Sequence, residues 1–223
     1  MRGGAIVGAG LLALGIAAGL PGVSAAATIK ELQDQAKAHL AKRQVDRAKP
    51  ILEIILNTAR EPGAIRDAAR NLAMIAVQQN ALKEFLAQAG SELSQNRDNL
   101  SAYWKVVEGS SFSKDWPAVI GQLRPLVNRM PRAEALRVRM AQAYASNRQL
   151  QEALRVLEDG VQLKPDSPML TEAVADVYFR ANRPDDAIKQ YEALLAKSTD
   201  ERRKKFYRSR LEQIKGAAAK PAR

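Results

Sequence analysis

Cysteine is absent from the 223 residues, and histidine occurs once, at His39. These two shortages exclude disulfides, thiolate nucleophiles, iron–sulfur clusters and Cys-based zinc sites, and leave imidazole chemistry to one side chain. Aromatic residues are also scarce, at 5%. Ala, Leu, Arg and Gln dominate instead, a mix that favours helices over sheets. There is no glycine-rich phosphate loop, because the stretch GAGLLALG lacks a following Lys-Ser/Thr. The paired carboxylates Asp185 and Asp186 follow Pro184 in a turn, where they suit a helix N-terminus and not a desolvated acid–base dyad. No catalytic residue, metal site or cofactor is expected.

What is present begins at the N-terminus. Arg2 is the only charge before Lys30, and Ala5 to Leu20 is an unbroken apolar run. Pro21-Gly22 then breaks any helix, and small residues follow from Val23 to Ala27. This is the pattern of a secretory signal peptide over residues 1–27, with export to a bacterial periplasm or beyond as the expectation. The competing reading is an uncleaved anchor, which would hold the chain to the inner membrane facing the periplasm, because no charge interrupts Gly3 to Ile29.

The net charge of +11 is concentrated at the other end. From Glu201 to Arg223, nine basic residues face only Glu201 and Glu212. The stretch is read as a solvated terminal helix, or as a patch that draws anionic lipid, polysaccharide or an acidic partner to Arg202, Arg203, Lys204 and Lys205. Nucleic acid is not expected there, since export separates the chain from it and Tyr207 is needed for packing.

The strongest signal is an echo at a spacing of 34 residues: Ala141, Tyr144, Ala153 and Leu157 recur as Ala175, Tyr178, Ala187 and Tyr191. A fixed period of this length belongs to stacked helix hairpins, in which small residues stand where helices cross closely and large ones fill the gaps between units. Asn182-Arg183-Pro184 suits the turn, Asn for a left-handed residue and Pro for a first helical position. The two units resemble tetratricopeptide repeats of an exported bacterial type. Residues 134–167 and 168–201 fit that pattern clearly, with Pro165 closing the first and Thr199 replacing Pro in the second.

Upstream the likeness thins. Residues 100–133 read as a degenerate repeat, with Gly109-Ser110-Ser111 where a core aromatic belongs and a longer loop through Ser113 and Lys114. Residues 28–99 read as degenerate hairpins, with Gln35 at an apolar position and His39 packing between hairpins. A helix over 199–216, capped by Ser198 with Glu201 and ended by Gly216, presents Tyr207, Leu211 and Ile214 as a stripe that covers the last hairpin. Residues 217–223 are expected to be disordered. The expected architecture is therefore all-α: a right-handed α-solenoid of about five antiparallel hairpins with a C-terminal capping helix.

The resemblance also implies where a partner would lie. In tetratricopeptide arrays, ligand contacts come from the first helix of each repeat. In this register those positions are Trp104, Glu108 and Phe112, then Val138 and Gln142, then Glu172, Asp176, Phe179 and Arg180. The expected function is a non-catalytic scaffold that holds a partner protein or peptide in the concave groove, in envelope assembly, secretion or quality control. Aromatic anchors would bury apolar side chains, and the acids would select basic flanks. The alternative is an accessory of envelope polysaccharide or lipid handling, tethered through the basic terminal helix.

Overall fold

A computed structural model describes residues 27–218, which form eleven α-helices and no strand. The segment read as a signal peptide lies outside the described residues, except for Ala27, and so does most of the tail read as disordered. Two compact units divide at Phe112 and Ser113. The first contains α1 (Ile29–Ala41), α2 (Val45–Thr58), α3 (Pro62–Gln78), α4 (Leu82–Gln95) and α5 (Leu100–Ser110). The second contains α6 (Trp116–Arg129), α7 (Glu134–Ser146), α8 (Leu150–Leu163), α9 (Pro168–Arg180), α10 (Pro184–Lys197) and α11 (Glu201–Ala218). The division falls inside 100–133, the segment read as one degenerate repeat. There α5 packs on α3 and α4 in one unit, and α6 packs on α7 in the other.

One turn closes four of the helix pairs. Its middle residue is left-handed each time: Arg43, Asn80, Arg148 and Asn182, with φ of 57°, 55°, 62° and 56°. The residue after it sends its N–H back across the turn, as Gln44 to the His39 carbonyl, Ala81 to Ala76, Gln149 to Tyr144 and Arg183 to Tyr178. This closure satisfies the carbonyls that a helix end leaves open. The connection from α5 to α6 instead spans residues 111–115 and contains no left-handed residue.

Unit 1 has an aliphatic core. Leu32, Ile51, Leu52, Ile54, Ile55, Ile65 and Ile75 are all buried in one cluster, each side chain contributing roughly 1.5–3 kcal/mol by leaving water. Gly109 stands where the repeat pattern asks for an aromatic because α4 already fills that space. A Cβ on Gly109 would lie 2.8 Å from Leu86 Cδ2 and 3.1 Å from Phe85 Cε1. Gln35 leaves its Oε1 buried without a hydrogen bond at its apolar position. His39 does not rely on packing alone: its Nδ1 lies 2.8 Å from Gln44 Oε1 across its own turn.

Unit 2 is built from small and aromatic residues with polar stitching. Ala141, Ala153, Ala175 and Ala187 are buried at the helix crossings, and Tyr191 and Tyr207 are fully buried. Arg137, only 8% exposed, donates from Nε to the Pro131 carbonyl at 2.8 Å and from Nη1 to that of Val156 at 3.1 Å. Its stem runs over Gly160, where a Cβ would meet Arg137 Cδ at 2.9 Å. Glu134 ties the first helix of one repeat to the loop before the next, accepting from Lys164 Nζ at 2.6 Å and Ser167 Oγ at 2.5 Å.

The terminal helix differs from the sequence expectation in its bounds. Asp200, not Ser198, caps it, with Oδ1 accepting from the N–H of Arg202 at 2.8 Å. Gly216 does not end it either, because the helix continues to Ala218; Ala217 and Ala218, read as disordered, are helical. Tyr207, Leu211 and Ile214 do form its buried stripe, packed with Ala175, Ala187, Tyr191 and Leu194.

Candidate functional site

The face formed by the first helices of the two clear repeats is concave on the scale of one side chain. Val138, Ala141, Gln142 and Ala145 of α7 and Ala173, Asp176, Val177 and Arg180 of α9 line a cleft of about 40 Å3, with Leu157 behind them. The alanines make this cleft: they are short where a larger residue would close it. It suits a small apolar side chain and is far below the roughly 300–1,000 Å3 that small-molecule sites occupy. Gln142 and Arg180 are exposed at its rim.

Of the residues singled out from the sequence, Val138, Gln142, Asp176 and Arg180 meet at this cleft. Glu172 and Phe179 do not. Phe179 packs into the cluster around Tyr207, Leu211 and Ile214, and Glu172 accepts a hydrogen bond from the Tyr207 hydroxyl at 2.6 Å. Asp176 also turns partly away from an incoming partner. It accepts from the Tyr191 hydroxyl at 2.8 Å and is ion-paired with Arg210. Two of the three acids expected to choose basic flanks are thus already matched by the terminal helix.

Burial pushes the Tyr207 hydroxyl up to about 12, and the Glu172 carboxylate adds to the shift. Tyr191 is raised as well, first by burial and then by the Asp176 carboxylate, against the opposing pull of Arg210. Sequence reasoning missed Arg210 and Tyr191 as partners of Asp176, although a signal was there. Gln142, Asp176 and Arg210 stand at the same 34-residue spacing, so α11 takes the place of the next repeat's first helix.

Trp104, Glu108 and Phe112 lie in unit 1. Trp104 packs against the aliphatic core there, stacks edge-to-face on Tyr103 at 5.2 Å and carries the Arg66 guanidinium 6.0 Å from its ring centre. Its Nε1 is buried without a hydrogen bond. Glu108 is only 5% exposed and sits 3.7 Å from Arg70. It is a buried charge rather than a surface acid. Phe112 is half-buried at the end of α5, where its N–H donates to the Gly109 carbonyl.

On α11 the basic residues divide. Lys204 pairs with Glu201 at 2.8 Å and is half-buried, whereas Arg202, Arg203 and Lys205 are exposed beside Phe206, itself 47% exposed. Among the described residues, no group of three or more His, Asp or Glu side chains could hold a metal ion. Nor is any of their helices long and apolar enough to cross a membrane.

Residues 138–202 match the tetratricopeptide repeat family, the segment that holds the cleft and the α10–α11 packing. That segment of the chain carries the tetratricopeptide repeat. The fold of the chain resembles that of a thermophilic tetratricopeptide-repeat protein from Thermus thermophilus, at 18% identity and a TM-score of 0.54, over 84% of this chain and 98% of that one. It also resembles a tetratricopeptide repeat protein from Parabacteroides merdae, at 15% identity and a TM-score of 0.50, over 84% of this chain and 73% of that one. No curated protein matches the sequence. Helix-hairpin arrays of this kind serve as protein-interaction scaffolds.

Proposed function

We propose that the chain is a non-catalytic scaffold of the bacterial envelope that holds a segment of another protein against the face of α7 and α9. The observation that carries this reading is the cleft between Ala141, Ala145 and Ala173, rimmed by the exposed Gln142 and Arg180. A short apolar side chain of the partner enters the cleft. Gln142 and Arg180 then engage its backbone or a nearby acceptor, since an amide both donates and accepts while a guanidinium only donates. Glu172 and Asp176 serve the terminal helix in this arrangement, so selection of basic flanks is weaker than the sequence suggests. Export through the N-terminal segment would put that partner in the periplasm.

A second reading has one observation behind it: Phe206 lies exposed beside Arg202, Arg203 and Lys205. An aromatic among basic side chains suits attachment to an anionic lipid or polysaccharide surface. One experiment separates the two. A photo-reactive residue replaces Gln142, with the same probe at exposed Lys197 as control, and crosslinking is carried out in intact cell envelopes. A protein captured from position 142 alone, and lost when Val138→Glu is added, supports the scaffold. Equal capture from both positions, or none, overturns it in favour of the terminal helix as the working surface.

A further inference from the structure

We infer that Arg210 of the terminal helix sets the charge preference of the cleft between α7 and α9, which then takes a segment with carboxylates beside a small apolar side chain. This rests on the reading of α7 and α9 as the partner-holding face. It reverses the preference for basic flanks that Glu172 and Asp176 suggest in the sequence.

Of the residues lining the cleft, Asp176 is the one acid. Its Oδ1 accepts from both the Arg210 guanidinium and the Tyr191 hydroxyl, the latter at 2.8 Å. Arg210 is itself fixed: Nη1 donates to Gln213 Oε1 at 2.6 Å, and the side chain is only 24% exposed. A second cation brought to Asp176 therefore meets a held charge of its own sign. A neutral donor, such as a backbone N–H of the partner, meets no such repulsion.

With that acid offset, the rim offers donors. Gln142 accepts from Arg139 Nη1 at 2.8 Å through its Oε1, which leaves the amide N–H groups for a ligand. Arg180 is exposed and, among the described residues, has no carboxylate paired with it, unlike Arg183, which holds Asp186 at 2.7 Å. Asp176 against Arg210 and Arg180 leaves one positive charge at the cleft. A carboxylate is the acceptor that a guanidinium fork binds best. The cleft of about 40 Å3 between Ala141, Ala145 and Ala173 limits the neighbouring apolar side chain to a small one.

The test is fluorescence anisotropy with the full chain and rhodamine-labelled peptides whose cores are Glu-Val-Glu, Lys-Val-Lys and Glu-Gly-Glu. Saturable binding of the first is expected, with the other two at least about tenfold weaker, or about 1.4 kcal/mol. The glycine core separates the cleft from general attraction to a basic chain. Arg180→Gln should weaken Glu-Val-Glu about fivefold, whereas Lys189→Gln on α10, which removes the same charge from another exposed site, should not. Arg210→Gln should strengthen Lys-Val-Lys about tenfold by freeing Asp176. Equal binding of the acidic and basic valine peptides, or a preference for the basic one, overturns the inference and leaves the cleft reading standing. So does an Arg180→Gln variant without effect, or a folded Arg210→Gln variant whose Lys-Val-Lys affinity is unchanged. No saturable binding of any peptide, or equal binding of Glu-Val-Glu and Glu-Gly-Glu, overturns both. Should Arg210→Gln loosen the terminal helix, the peptide series and Arg180→Gln still decide.

Discussion

The two units share a turn and little else. Both close their hairpins with a left-handed residue and a backbone bond across the helix end, at Arg43 and Asn80 in one and at Arg148 and Asn182 in the other. Unit 1 then holds its helices with a dense aliphatic core and leaves three polar atoms buried without hydrogen bonds, on Gln35, Trp104 and Glu108. Unit 2 uses alanine crossings, three buried tyrosines and polar stitches through Arg137, Glu134 and Arg210. Backbone geometry can thus be set by the turn alone, while the chemistry between helices is free to differ. The difference also explains why only unit 2 shows a period: alanine crossings and tyrosine fillers are specific residues at specific places, whereas an aliphatic core accepts Leu, Ile or Val with little preference.

The sharpest way to break this contrast is Arg137→Ala. It removes one hydrogen bond to the buried Val156 carbonyl, one to the part-buried Pro131 carbonyl and the stem over Gly160, and should cost about 2–3 kcal/mol, read as a lower urea midpoint. A cost near zero would mean that unit 2 does not depend on this polar stitch.

The next effect tests the tyrosines. The Tyr207 hydroxyl is raised to about 12 by burial and Glu172, above an unfolded value of about 10. A raised folded value gives stability that is fully present below about pH 10 and is lost as pH climbs toward 12. At pH 8, Tyr207→Phe should cost about 1 kcal/mol through the lost hydrogen bond. That deficit should shrink and then reverse as pH rises from 10 to 12, when denaturation is followed by circular dichroism. A deficit that stays constant would show that burial and the Glu172 carboxylate do not raise the hydroxyl.

The smallest effect probes what the units share. Arg43 and Arg148 occupy a left-handed conformation that costs a residue with a Cβ roughly 1–2 kcal/mol. Replacing either with Gly relieves that cost against a smaller loss through the greater entropy of the unfolded chain. Each change should raise stability by about 0.5–1 kcal/mol, read from the thermal midpoint. Unequal gains would mean that the two turns are not the same device.

Much of unit 2 was legible in the sequence because its helices repeat at a fixed spacing. Asn182, Pro184, the crossing alanines and the stripe of Tyr207, Leu211 and Ile214 all follow from residue size and backbone preference. Part of the expected cleft was legible too, at Val138, Gln142, Asp176 and Arg180. The rest was not, because the repeat pattern says which side of a helix faces a groove but not what else already stands there. Glu172 and Phe179 are claimed by α11, and Glu108 is buried beside Arg70.

The sequence by itself determined an all-helical array of hairpins, through periodicity, turn residues and the absence of cysteine. Those properties are local, and each is expressed within one or two helices. Only the tertiary structure decided that the chain divides inside 100–133, that α11 engages Glu172 and Asp176 of the last repeat, and that α3 and α5 pack side by side. All three depend on which helix lies beside which, and side-chain burial and ion pairing between distant residues appear only once that arrangement exists.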